Sequence, residues 1–263
     1  MFNSKILTDN GVNIEKSLEL FGDMNTYNES LIDFLKEVES KFEKLKNFKE
    51  IADMSNYSIL VHSLKSDAKY FGFEDLANIA YEHEKESKAN NMYYVSLHYD
   101  ELEKEIKRII GIVRTYLGVN VSDEKSNFET DNVSPKNNTI LVVDDSNIIA
   151  TFITKIFNNQ YNVMVAKDGG EAIDILAEQN NQIVGMLLDL NMPNVNGYEV
   201  LRFMKTNSLF EKIDVAIITG SDSKTVLDNV KEYPVMAILE KPFNEVNIKK
   251  VVDILVMHNK TNN

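Results

Sequence analysis

Between about Ile14 and Leu117 the apolar residues return every three or four positions, with neither sustained alternation nor a proline. That period predicts amphipathic helices throughout. Leu18, Phe21, Leu31, Phe34 and Leu35 form one stripe, and Phe42, Leu45 and Phe48 continue another. A further helix is predicted from Asp53, a capping residue, through Tyr57, Leu60, Val61, Leu64, Ala68 and Phe71, with Gly72 as its stop. Leu76–Tyr81 and Leu102–Leu117 supply two more, parted by the polar stretch at Lys88–Asn91. Short connections between such helices imply an antiparallel bundle.

The stretch Val121–Asn138, VSDEKSNFETDNVSPKNN, is nearly devoid of apolar residues and contains Pro135. It reads as a linker. Beyond it, short apolar runs at Ile140–Val143, Val163–Ala166, Gly185–Leu188, Val215–Ile218 and Ala237–Leu239 alternate with amphipathic segments. This repeated βα pattern predicts a doubly wound α/β domain, a parallel sheet with helices on both faces. The expected division is therefore a helical domain at 1–120, a linker at 121–138 and an α/β domain at 139–263.

Length agrees, since 263 residues suit two domains that each bury a core. A net charge of -13 argues against a nucleic-acid partner, which would require a basic face. The absence of cysteine excludes disulfides, thiolate chemistry and Cys-ligated zinc. MFNSKILTDN lacks the apolar core of a leader, and no later run has the length of a membrane span. A cytoplasmic protein with no membrane partner is expected.

Candidate chemistry gathers around LLDLNMPNVNG, Leu187–Gly197, where an apolar run stops on Asp189 and opens into a Pro- and Gly-punctuated loop. The first strand of the sheet runs into Asp144 and Asp145, so three carboxylates converge at one sheet edge. Two carboxylates about 4 Å apart repel by about 4 kcal/mol at an effective dielectric near 20. A hard divalent cation such as Mg²⁺ relieves that repulsion and keeps waters that a phosphate can replace. Thr219 and Lys241, at the ends of the fourth and fifth strands, offer a hydroxyl and an ammonium to the remaining phosphoryl oxygens. Each residue alone reads as a strand-end polar group or cap. Together, complementary groups at four strand ends point to phosphoryl chemistry.

VVDDS, LLDLNMPNVNGYEV, IITG and EKPF together resemble the response-regulator receiver domains, from Asn138 to about Lys260. The resemblance implies a flavodoxin-like sheet of order 2-1-3-4-5, with Asp189 as phosphoacceptor. It further implies Mg²⁺ held by Asp144, Asp145, Asp189 and the Asn191 backbone carbonyl, with Thr219 and Lys241 on the phosphoryl oxygens. Ile238 departs from the pattern, standing where the family often has an aromatic residue.

In the helix after Asp53, His62, Lys65, Ser66 and Lys69 fall on one side, which is expected to face outward. Neighbouring lysines would depress the His62 pKa, leave a nucleophilic nitrogen free and then pair with an arriving phosphate. The plain alternative is a solvated polar face. VHSLKSDAKYFGFEDL resembles the histidine-containing phosphotransfer motif at His62, Leu64, Lys65 and Gly72, with Ser66 where glycine is common. That resemblance covers about Gly11 to Leu117 and implies that His62 carries phosphate. His83 and His98, in acidic helical surroundings, are expected on solvated faces, and Gly169–Gly170 is expected to start a helix.

The whole reads as a two-domain phosphorelay protein that moves phosphoryl groups between histidine and Asp189 and that also admits autodephosphorylation. No segment supplies an ATP-binding kinase domain, so the expected donors are a sensor histidine kinase or other phosphorelay proteins, or the chain's own other domain. A linker of ~18 residues, with a span of about 20 to 25 Å, allows internal transfer. The rivals are a binding or dimerisation module switched by phosphorylation of Asp189 alone, with His62 never phosphorylated, and a purely structural bundle.

Overall fold

A computed structural model describes residues 2–118, 138–179, 182–221 and 223–262. The chain opens with α1 (Lys5–Thr8), α2 (Ile14–Phe21), α3 (Met24–Glu50), α4 (Met54–Tyr70), α5 (Glu74–Lys88) and α6 (Met92–Leu117). The long helices close a ring, α3 on α4, α4 on α5, α5 on α6 and α6 on α3. Asp53 caps α4 by accepting from the Asn56 amide at 3.1 Å. Gly72 ends it for two reasons. Its φ is +72°, and a Cβ there would lie 2.3 Å from the Asn13 carbonyl oxygen, where α2 begins. The first predicted stripe is divided at Gly22 and Asp23, where Asp23 caps α3 through the Asn25 and Thr26 amides.

The second half alternates as predicted: β1 (Thr139–Val143), α7 (Asn147–Phe157), β2 (Asn162–Ala166), α8 (Gly169–Gln179), β3 (Ile183–Asp189), α9 (Gly197–Thr206), β4 (Asp214–Thr219), α10 (Ser223–Val230), β5 (Val235–Glu240) and α11 (Glu245–Asn262). All strand pairs are parallel, in the order β2-β1-β3-β4-β5. The predicted linker lies outside the described residues except for Asn138. Among the described residues no helix is long and apolar enough to cross a membrane.

One face of the sheet has its own core, in which Leu176 of α8, Val200 and Met204 of α9 and Val226 of α10 cover Leu141, Leu188 and Ile217. The other face is continuous with the interior of the bundle. Phe21 stacks on Phe71 at 5.3 Å and meets Phe152 of α7 at 5.8 Å. Phe243 lies 5.9 Å from Tyr70 of α4 and 6.3 Å from Phe152. Such ring pairs contribute about 0.5–1.5 kcal/mol each beyond area burial. This shared core seats α4 against the C-terminal edge of the sheet.

Candidate functional site

The strand order reverses between β1 and β3, which opens a crevice at their carboxyl ends. Asp144 follows β1, and its Oδ1 accepts from the Ser146 amide at 3.0 Å. Asp189 closes β3, with Oδ1 accepting from the Asn191 amide at 2.9 Å. Gly197 makes room for this loop to fold back, because a Cβ there would lie 2.3 Å from the Asp189 carbonyl oxygen. Lys241, just past β5, bridges Asp189 Oδ2 and Asp144 Oδ2, the latter at 2.8 Å. Burial opposes its charge, but the two carboxylates outweigh burial and raise its pKa. Thr219 ends β4 fully buried, its Oγ1 accepting from the Ser221 amide at 3.0 Å.

Asp144, Asp145 and Asp189 each offer an oxygen, all within 4.8 Å of one another. An all-oxygen, anionic set of this kind fits a hard divalent cation such as Mg²⁺. Burial pushes the carboxyl pKa up to about 6 for Asp144 and about 7 for Asp145, partly offset by Lys241 and Lys41. Raised carboxyl pKa values mean that protons compete with a cation. Mg²⁺ affinity, measured by calorimetry, is therefore expected to weaken as pH falls through about 7 to about 6.

The histidine face of α4 is the principal correction to the sequence reading. His62, Lys65 and Ser66 are 2%, 5% and 4% exposed rather than turned to solvent, because the β4–α10 loop covers them. Lys69 is half-buried. Helical period identifies this side as polar but carries no information about a covering surface more than 150 residues away. His62 Nδ1 donates to Glu84 Oε1 at 2.7 Å, and Lys65 Nζ donates to Glu84 Oε2 at 2.6 Å. That contact assigns the proton to Nδ1 and leaves the lone pair on Nε2. Nε2 is buried and has no hydrogen-bond partner among the described residues. Burial, more than Lys65, depresses the His62 pKa, against the pull of Glu84. His83 is also corrected: it is 1% exposed, held by the Tyr57 hydroxyl at 2.9 Å and the His98 carbonyl at 3.3 Å.

Polar contacts join the halves around this point. Lys65 Nζ donates to the Gly220 carbonyl at 3.3 Å, Ser146 Oγ to Asp67 Oδ1 at 3.1 Å, and the Phe243 amide to the Tyr70 hydroxyl at 3.1 Å. Lys41 pairs with Asp67, and its raised pKa reflects Asp67, Glu37 and Asp145 acting against burial. Gly220 lies against the Nε2 edge of the histidine. A Cβ there would sit 2.7 Å from His62 Nε2 and 2.9 Å from Ser66 Oγ. Gly220→Val is thus expected to part the halves. Hydrogen exchange of the α4 amides should quicken about 10-fold or more, with the circular dichroism retained.

The structure thus brings Asp144, Asp145, Asp189, Thr219 and Lys241 to one edge, and sets His62 against the loop that follows Thr219. Glu84, Asp67, Lys41, Ser146 and Gly220 escape sequence reading. Glu84 lies 22 residues from His62 on a different helix, and only its place on α5, beside α4, pairs the two.

The response regulator receiver domain family matches residues 140–253. Sporulation initiation phosphotransferase F of Bacillus subtilis is 32% identical over 117 residues, covering 44% of this chain and 91% of that relative. A two-component response regulator of Arabidopsis thaliana is 29% identical over 142 residues, 50% of this chain and 77% of its own. The CAI-1 autoinducer sensor kinase/phosphatase of Vibrio cholerae is 37% identical over 116 residues, 43% of this chain but only 16% of that protein. A solved chemotaxis protein of Vibrio cholerae aligns at TM-score 0.42 and 24% identity, over 45% of this chain and 98% of its own. Through its βα half, the chain belongs to the response regulator receiver domain family, whose members serve two-component signal transduction.

Proposed function

We propose that this is a two-domain phosphorelay protein in which residues 1–120 form a histidine-phosphotransfer domain and residues 139–263 a receiver that exchange a phosphoryl group between His62 and Asp189. One observation carries the reading: the unpartnered Nε2 of His62 lies against Gly220, one residue beyond Thr219 and at the same sheet edge as Asp189. Asp189 also contributes to the electrostatic environment of His62.

In the transfer step, an Asp189 carboxylate oxygen attacks the phosphorus of phospho-His62 in line. The P–N bond breaks, its electron pair returns to Nε2, and the new P–O bond forms on Asp189. The Nδ1 proton stays on the imidazole, held by Glu84. Lys241 leaves its pairing with Asp189 to neutralise a phosphoryl oxygen, and the Thr219 hydroxyl donates to another. Mg²⁺, held by Asp144, Asp145, Asp189 and the Asn191 carbonyl, would supply further neutralisation of charge. Outside donors, by the character of the family, are sensor kinases and other phosphorelay proteins.

Glu84 acts through His62 as a positioning residue. Glu84→Gln keeps the shape but loses the charge, and is expected to slow transfer about 10- to 100-fold. A quench-flow time course of phosphohistidine loss measures it. A flattened or shifted pH profile distinguishes positioning from general loss of structure.

A second reading draws on the cross-domain contacts at Asp67–Ser146 and Tyr70–Phe243, namely that phosphorylation of Asp189 simply releases the bundle. His62→Gln separates the two, since release would survive it and transfer would not.

A further inference from the structure

From β5 into α11 the chain turns through Lys241, Pro242 and Phe243. Pro242 has no N–H, so the backbone donors that can tether this turn are those on either side of it. One tether lies within the receiver half, where the Lys241 amide donates to the Thr219 carbonyl at 2.7 Å. The other comes from the bundle. The Phe243 amide donates to the Tyr70 hydroxyl at 3.1 Å, across 173 residues of sequence. Tyr70 is 1% exposed, and its ring meets that of Phe243 edge-on at 5.9 Å. Burial raises the Tyr70 pKa, so the hydroxyl stays neutral, with Lys241, Asp144 and Asp67 among its electrostatic neighbours.

Tyr70 ends α4 about two turns beyond His62, or about 12 Å along the axis at 1.5 Å per residue. Its contact is therefore separate from the histidine and from the Gly220 loop that covers it. What it holds is the backbone just past Lys241, whose ammonium pairs with Asp144 at 2.8 Å and with Asp189. Lysine carries its charge on a flexible four-carbon stem, so the place of that charge depends on where the backbone is held. A group that supports a catalytic side chain from behind sets its geometry without touching the reacting atoms.

We propose that Tyr70 is a positioning residue for the receiver's chemistry: by holding the Phe243 amide, the helical half fixes the turn that carries Lys241 and so sets this lysine for phosphoryl transfer to Asp189. The proposal rests on the reading that Lys241 serves Asp189, and it requires no phosphate on His62. The bundle then acts on both sides of the exchange, presenting the histidine from the middle of α4 and holding the receiver's lysine from its end.

Tyr70→Phe keeps the ring and removes the acceptor. The full chain and this variant, without Mg²⁺ or phosphodonor, are compared by heteronuclear NMR of the lysine ammonium groups, the Lys241 signal being assigned by its loss in Lys241→Arg. Solvent exchange of the Lys241 ammonium is expected to quicken about 10-fold in the variant. Lys65 is the internal control, because it lies on the same helix and its contact with the Gly220 carbonyl reports the union of the halves. Its exchange is expected to stay unchanged. Faster exchange at both lysines would mean that the halves had merely parted, and unchanged exchange at Lys241 would mean that Tyr70 does not hold it; either result overturns the proposal. A second arm measures acyl phosphate formation on Asp189 from a small phosphodonor with Mg²⁺. Tyr70→Phe is expected to slow it about 10-fold in the parent chain but less than about 2-fold in a Lys241→Ala background, because a residue that acts through the lysine then has nothing to act on. Equal slowing in both backgrounds overturns the proposal. Absence of label on the parent chain would instead fail the receiver reading, and the ammonium exchange would still decide for or against Tyr70.

Discussion

Asp189→Asn is expected to abolish Mg²⁺-dependent acyl phosphate on this chain, by at least about 1,000-fold in rate. The carboxylate is the nucleophile, and the amide keeps the shape while losing the charge and the reactive oxygen. The substituted side chain can still accept from the Asn191 amide, which now meets Asp189 Oδ1 at 2.9 Å, so the loop has reason to stay in place. Lys241 loses one of its two carboxylate partners but retains Asp144 at 2.8 Å. Loss of label with an unchanged fold is therefore the predicted outcome, read as hydroxylamine-sensitive phosphate after incubation with a small phosphodonor. Persistent label would place the acceptor elsewhere in the acidic cluster.

His62→Gln is expected to remove all acid-labile, alkali-stable phosphate while leaving acyl phosphate on Asp189. The side chain is 2% exposed and makes one strong contact, to Glu84. Glutamine preserves a donor for that carboxylate but offers no nucleophilic ring nitrogen. Burial depresses the His62 pKa, so the imidazole is neutral in the joined form near neutral pH. Protonation gains ground only as pH falls below the ordinary histidine value of 6.5, where the joined form should weaken because a freed histidine takes up the proton more readily. In the glutamine variant this acid-side weakening should shrink. Phosphohistidine persisting in the variant would assign it to His83, His98 or His258.

The receiver half was legible because its chemistry is tied to strand ends. Buried strands announce themselves as short apolar runs, so Asp144, Asp189, Thr219 and Lys241 could be placed at a common edge from the sequence alone. The bundle was legible as helices and caps, down to Asp53 and Gly72. What sequence could not supply was the contact between halves. A polar stripe on α4 has the same pattern whether water or a loop lies over it, and Glu84 reaches His62 only through helix packing. His83 misled for a related reason: the acidic run around it reads as a solvated face, whereas its ring is turned toward Tyr57 and its neighbour Glu84 is buried against His62. Gly220, one glycine in IITGS, carries no local signal that a histidine will rest on it.

In the proposed relay, His62 and Asp189 exchange phosphate within one molecule. The direct measurement loads Asp189 of the full chain with a small phosphodonor and Mg²⁺, removes the donor, and follows acyl phosphate and phosphohistidine by phosphorus NMR at several protein concentrations. A phosphoramidate signal is expected to grow as the acyl phosphate decays, at a rate independent of protein concentration. No phosphoramidate signal, or one whose rate rises in proportion to concentration, would contradict this relay.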